Sequence, residues 1–163
     1  RCISRGWNGI GSWYSSNYQI FQSPGYVVVL QELIHEPRII PLDARPHLPP
    51  DTPQWLGDSR GRWEGDTLVV DTVGFNDKVS LTLAEHPQTE KMHVVERFRR
   101  PDLGRLEIEY TLDDPGAYSK PWKVHRTLTL APKEELQEYV CGKQQGDGTR
   151  RGPVMRSSSD GRV

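Results

Sequence analysis

The segment Ser59-Arg60-Gly61-Arg62-Trp63-Glu64-Gly65-Asp66-Thr67-Leu68-Val69-Val70-Asp71-Thr72-Val73-Gly74-Phe75 constrains the fold more than any other. Ser59–Trp63 reads as a strand and Thr67–Phe75 as its longer, β-branched partner. Between them, Glu64-Gly65-Asp66 is a hairpin turn whose glycine can take positive φ. The same grammar recurs along the chain. Tyr18–Ser23 and Tyr26–Leu33 flank the turn signal Pro24-Gly25, and Arg38–Leu42 resumes after the break at His35-Glu36-Pro37. Met92–Arg99 and Arg105–Asp113 flank Pro101-Asp102-Leu103-Gly104, and Trp122–Leu130 comes last. The connections are too short for crossover helices, so neighbouring strands are expected to pair antiparallel. Roughly eight strands at hairpin spacing predict an all-β domain. Its expected form is an antiparallel, eight-stranded, lipocalin-like (calycin-type) barrel, with a β-sandwich as the runner-up. A helical turn around Leu81–Glu85 and a short helix or ninth strand at Glu134–Val140 are the remaining expected elements.

Thirteen prolines and fifteen glycines agree with many turns and little helix. The chain divides into an irregular arm (1–17), one β domain (18–142) and a Gly, Ser and Arg rich tail (143–163). Its net charge of −1 gives no general attraction to nucleic acid or to an anionic membrane. No apolar run approaches the ~18 residues a membrane span needs. The chain opens on Arg1 without a signal peptide, which reads as a processed or trimmed product. Its two cysteines, Cys2 and Cys141, lie near opposite ends, with no C-x-x-C pattern. They are either two unrelated thiols or a disulfide. A disulfide would close a loop of about 140 residues, contribute roughly 3–5 kcal/mol and imply an oxidising compartment.

Side chains of a strand alternate between faces, so candidate sites follow from parity. Asp71 sits in a strand with two mostly apolar faces and is expected to be buried. A buried carboxylate needs a partner or a raised pKa, which makes Asp71 the first catalytic candidate. Its structural alternative is an ion pair with Arg97 or Arg62. Glu32, at the end of an apolar strand, is expected as a second interior carboxylate, because paired carboxylates can split into acid and base roles. His93 and Arg97 complete the catalytic set. Trp63, Asn76, Tyr110 and Trp122 are the expected ligand contacts, with tryptophans serving as core or as a stacking platform. The long proline-rich connection over 43–58 and the polar loop over 76–91 would roof the mouth. His47, His86 and His93 form an alternative metal set, although no compact metal motif is present and no cofactor is expected. There is no G-x-S-x-G, no P-loop and no G-x-G-x-x-G.

The motifs Arg38-Ile39-Ile40-Pro41, Asp43-Ala44-Arg45-Pro46-His47, Gly57-Asp58-Ser59 through Asn76-Asp77, and His93-Val94-Val95-Glu96-Arg97 occur in this order. Asp113-Asp114-Pro115, Tyr118, Lys120-Pro121-Trp122 and Glu138-Tyr139-Val140-Cys141 follow. Together they resemble a group of secreted proteins from soil-type bacteria that carries no established activity. The resemblance spans residues 18–142 and implies an exported domain. It includes an Arg-Cys near the start, which fits a Cys2–Cys141 bond. The group often has a second histidine near Gln88, which departs from it here and weakens a metal reading. The expected function is binding of a small apolar or sugar-like ligand, with acid/base catalysis in the barrel mouth. Alternatives are a self-assembling homo-oligomer whose arm and tail pack on neighbours, and a His-ligated metal enzyme.

Overall fold

In the computed structural model, which describes residues 17–32, 35–78, 81 and 86–137, alternating burial along 93–98, 107–112 and 122–129 separates a core face from a solvent face. Eight strands run in chain order: β1 (Tyr18–Ser23), β2 (Tyr26–Gln31), β3 (Pro37–Pro41), β4 (Asp58–Glu64), β5 (Thr67–Val73), β6 (His93–Asp102), β7 (Arg105–Asp113) and β8 (Trp122–Thr129). They form two antiparallel sheets, β1-β2-β3 and β4-β5-β6-β7-β8. Among the described residues there is no helix. No ladder joins β3 to β4 or β8 to β1, so the strands make two sheets with no closed barrel among the described residues. The expected Cys2–Cys141 pair, the arm before Asn17, the tail, the turn at 82–85 and the end of the 134–140 segment lie outside the described residues.

The sheets share one apolar core. Val27 and Ile40 from the small sheet meet Leu68, Val70, Val94, Phe98, Ile108 and Leu112 from the large one. Phe75, Leu81 and Met92 extend this core beyond the strand ends. β3 lies beside β4, and Gly61 permits that approach: a Cβ there would stand 2.6 Å from Leu42 Cδ2 and 2.8 Å from Ile40 Cγ2. At the β4–β5 hairpin Gly65 has φ 62°, the left-handed conformation a tight two-residue turn requires.

An ion pair enters the core. Arg38 Nη2 donates to Glu96 Oε2 at 2.6 Å, linking β3 to β6 across the two sheets, with side chains 12% and 2% exposed. Such a pair is costly to desolvate and far more costly to break.

The opposite face of the large sheet is charged. By register it carries Asp58, Arg60, Arg62 and Glu64 on β4, then Val69, Asp71 and Val73 on β5. Next come His93, Val95, Arg97 and Arg99 on β6, facing Glu107, Glu109, Thr111 and Asp113 on β7. Glu64 accepts from Arg62 Nη2 and Arg97 Nη2, each at 2.7 Å, so the Arg97 contact crosses β5 above Val69. Val69 is fully buried although it points away from the apolar core. The arginine stems on either side explain this, since long charged side chains cover apolar surface while their heads stay in water.

Candidate functional site

Asp71 lies on this outer face, not in the interior. Its carboxylate meets two imidazoles: His47 Nε2 stands 3.0 Å from Oδ1, and His93 Nε2 stands 2.9 Å from Oδ2. His47 continues the chain, with Nδ1 3.0 Å from Asp58 Oδ2. Asp58 Oδ1 in turn accepts from Arg60 Nη1 at 2.6 Å. The result is a continuous relay, Arg60–Asp58–His47–Asp71–His93, drawn from β4, the proline-rich loop, β5 and β6.

Strand register explains how β5 and β6 supply their part. Asp71 pairs with Val95, and His93 lies two residues along on the same face, a diagonal neighbour within reach of a long side chain. The loop supplies His47 because its backbone is tied to the sheet. Arg60 donates to the carbonyls of Arg45 and Pro46, at 3.2 Å and 2.9–3.0 Å. Leu48 N donates to Asp58 Oδ2 at 2.9 Å. Farther along, Gln54 N donates to Gly74 O, and Asn76 N donates to Gln54 O. At the loop's start Asp43 pairs with Arg45, whose guanidinium donates to Tyr26 Oη and stands over that ring. Arg45 draws the Asp43 carboxyl down to about 2. Proline segments lack N–H donors, so side chains from β4 take over the work a backbone ladder does elsewhere.

Hydrogen-bond bookkeeping then sets the protons. A neutral imidazole donates from one nitrogen only. His47 places one ring nitrogen against Asp58 and the other against Asp71, so its neutral ring can donate to one of the two carboxyl groups and its protonated ring to both. His93 donates from Nε2 to Asp71. Its Nδ1 makes no hydrogen bond among the described residues, and its side chain is 43% exposed. A carboxylate that orients one ring nitrogen and leaves the other open is the arrangement used for imidazole acid/base catalysis.

The other expected site residues fall elsewhere. Glu32 is buried at the far end of the small sheet, where Oε2 accepts from Asn17 Nδ2 and Oε1 from the backbone N of Gln137. It ties the start of β1 to the segment after β8, so the expected pair of interior carboxylates does not form. Arg97 is on the same outer face as Asp71, but its bond is to Glu64, and neither Arg97 nor Arg62 is the partner of Asp71. Asn76 is buried and shapes the following loop, accepting from Lys78 N through Oδ1 and from Gln88 Nε2 through its carbonyl. Tyr110 is buried on the core face. Trp122 packs edge-on against Tyr118 at 5.8 Å, and Trp63 is exposed at the end of β4. His86 is exposed in the loop before β6, and the hydrogen bonds of Asp71 go to His47 and His93. Among the described residues no group of three or more His, Cys, Asp or Glu side chains is arranged to hold a metal ion.

Sequence reasoning saw His47 only as a metal alternative and gave Asp58 no role. The available signal was a histidine in a proline-rich loop that returns to an acidic strand start at Asp58. Comparison with family models, curated proteins and solved structures gives no match. Among the described residues no helix is long and apolar enough to cross a membrane.

Proposed function

We propose that this is an exported domain that performs general acid/base chemistry on a small, sugar-like ligand, with His93 as the proton-exchanging group. One observation carries the reading: Asp71 holds His93 by Nε2 and leaves Nδ1 open to the solvent side of the sheet. In the reaction Nδ1 takes a proton from a substrate hydroxyl, an activated C–H or, for hydrolysis, the attacking water, and the imidazolium so formed is supported by Asp71. The proton then returns to another substrate atom, as in isomerisation, elimination or hydrolysis. A hydroxylated ligand suits the surroundings, because Asp113 is the cross-strand neighbour of His93 and Thr111 and Arg97 share its face. The architecture is read as an opened relative of the lipocalin-like barrel, supported by strands that pair in chain order within each sheet. Export is supported by the sequence motifs and the two terminal cysteines.

The test is a substrate panel of hydroxyketones, glycosides and uronic acids, assayed with wild type, His93→Gln and His125→Gln. Turnover is expected to fall about 10²–10⁴-fold in His93→Gln, the contribution typical of general acid/base catalysis, and to persist in His125→Gln. Long-range nitrogen–proton NMR should place the neutral His93 proton on Nε2. Retained turnover in His93→Gln, or a proton on Nδ1, overturns the reading.

A further inference from the structure

The core side of the molecule holds a separate space. A cleft of about 980 Å³ opens between the two sheets, with Ile20, Val29, Phe98 and Leu128 among its apolar walls. These four residues also line an adjoining chamber of about 50 Å³, whose other walls include Gln31, Arg38, Glu96 and Tyr110. The mouth carries apolar side chains exposed to water: Ile20 is 40% exposed, Trp63 48% and Leu130 52%. An apolar space with a few converging polar groups at one end is the usual build of a small-molecule site.

The polar end is specific. Arg38 spends Nη2 on Glu96, but its buried Nε has no hydrogen-bond partner among the described residues. An unpaired buried donor is costly and is best met by an incoming oxygen. Arg38 and Glu96 neutralise one another and Glu36 also lines the chamber, so a ligand carboxylate there would face two carboxylates, with Arg126 on the wall of the wider cleft. Burial and Glu96 push the Tyr110 hydroxyl well above its usual range, so that group also stays neutral.

We infer that the cleft binds an uncharged amphipathic small molecule, its apolar body between the sheets and a terminal hydroxyl or carbonyl oxygen accepting from Arg38 Nε. This site lies on the opposite face of the large sheet from Asp71 and His93 and is independent of the acid/base reading. The apolar walls supply most of the affinity, and Arg38 selects for the head.

The experiment uses the full chain and the neutral fluorophore N-phenyl-1-naphthylamine, displaced in parallel by octan-1-ol, 2-octanone, octane and octanoate. The alcohol and the ketone are expected to compete at concentrations about tenfold lower than octane or octanoate, the worth of one hydrogen bond to a charged donor. Leu128→Trp, which fills the shared wall, should weaken fluorophore and alcohol alike by about tenfold or more. Arg38→Met/Glu96→Met should keep fluorophore binding and lose the preference for alcohol over alkane. The inference is overturned if the fluorophore does not enter the wild type, which would mean that the chain's own ends or a second copy occupy the cleft. Octane or octanoate competing as well as octan-1-ol, or an unchanged preference in the double variant, also overturns it. Should the double variant not fold, wild-type selectivity and Leu128→Trp decide the question.

Discussion

His47 and His93 share one carboxylate, that of Asp71, from opposite sides: Nε2 of the loop histidine is 3.0 Å from Oδ1, and Nε2 of the strand histidine is 2.9 Å from Oδ2. A single side chain therefore both anchors the proline-rich loop and orients the ring left open to solvent. Structure and chemistry meet at this residue, and substitutions there separate the two.

Asp71→Asn keeps the shape but replaces two acceptor oxygens with one acceptor and one donor, and removes the negative charge that would support an imidazolium at His93. The site is partly exposed, with Asp71 31% accessible, so the stability cost should be about 1 kcal/mol. Activity should fall much further, about 10²-fold or more. Thermal unfolding and turnover measured on the same sample check this. A collapse of the fold with no separate effect on turnover would make Asp71 a loop anchor only.

The Arg38–Glu96 pair makes a different prediction, because its cost lies in burial. Arg38→Met alone takes the guanidinium from a carboxylate that is 2% exposed and should destabilise by about 3 kcal/mol. Adding Glu96→Met should recover most of that loss, since a well-packed apolar replacement of a buried pair is often neutral or better. Urea denaturation of both variants gives the comparison. A double variant no more stable than the single one would show that the pair stabilises the fold.

Glycines 61 and 65 are required for unrelated reasons. Gly61→Ala pushes a methyl into Ile40 and Leu42, and overpacking of this kind should cost about 1–3 kcal/mol. Gly65→Ala meets no atom within 4 Å but forces an L-residue to φ 62°, worth about 1–2 kcal/mol. Adding Leu42→Ala, which removes the atom 2.6 Å from that methyl, should soften the first penalty and leave the second unchanged. Equal response of both would refute the distinction.

On the outer face, Arg97 and then Arg62 hold the Glu64 carboxyl below its ordinary 4.5. A lowered carboxylate contributes stability above its unfolded pKa and loses it as pH falls through the folded value. Arg97→Ala should therefore flatten the loss of stability on acidification below about pH 4.5, an effect that shrinks in high salt because the groups are exposed. Unfolding midpoints at several pH values, with and without salt, check both points.

Much of the architecture was legible because strands write themselves locally. The turn pairs Pro24-Gly25 and Gly65-Asp66 and the alternating runs flanking them place β1, β2, β4 and β5 within a few residues of their observed bounds. Along β7, buried Ile108, Tyr110 and Leu112 alternate with half-buried Glu107, Glu109 and Thr111, as strand parity requires. Asp71 was harder. Valines on both sides of its strand made both faces look interior, because Val69 is buried under arginine stems and not in the core. Glu32 looked like its partner by the same local logic, yet it ties Asn17 to Gln137.

What the sequence by itself determined is the set of strands, their antiparallel order, and Asp71 and His93 as residues of interest. Only the tertiary structure decided that Asp71 faces outward, that His47 and Asp58 join it, and that Arg38 meets Glu96 inside. The reason is physical. Strand formation follows from alternation and turn residues a few positions apart. The proline-rich loop has no period to read, and its course depends on donors from β4 and carboxylates on β4 and β5 that meet it only once the sheet exists.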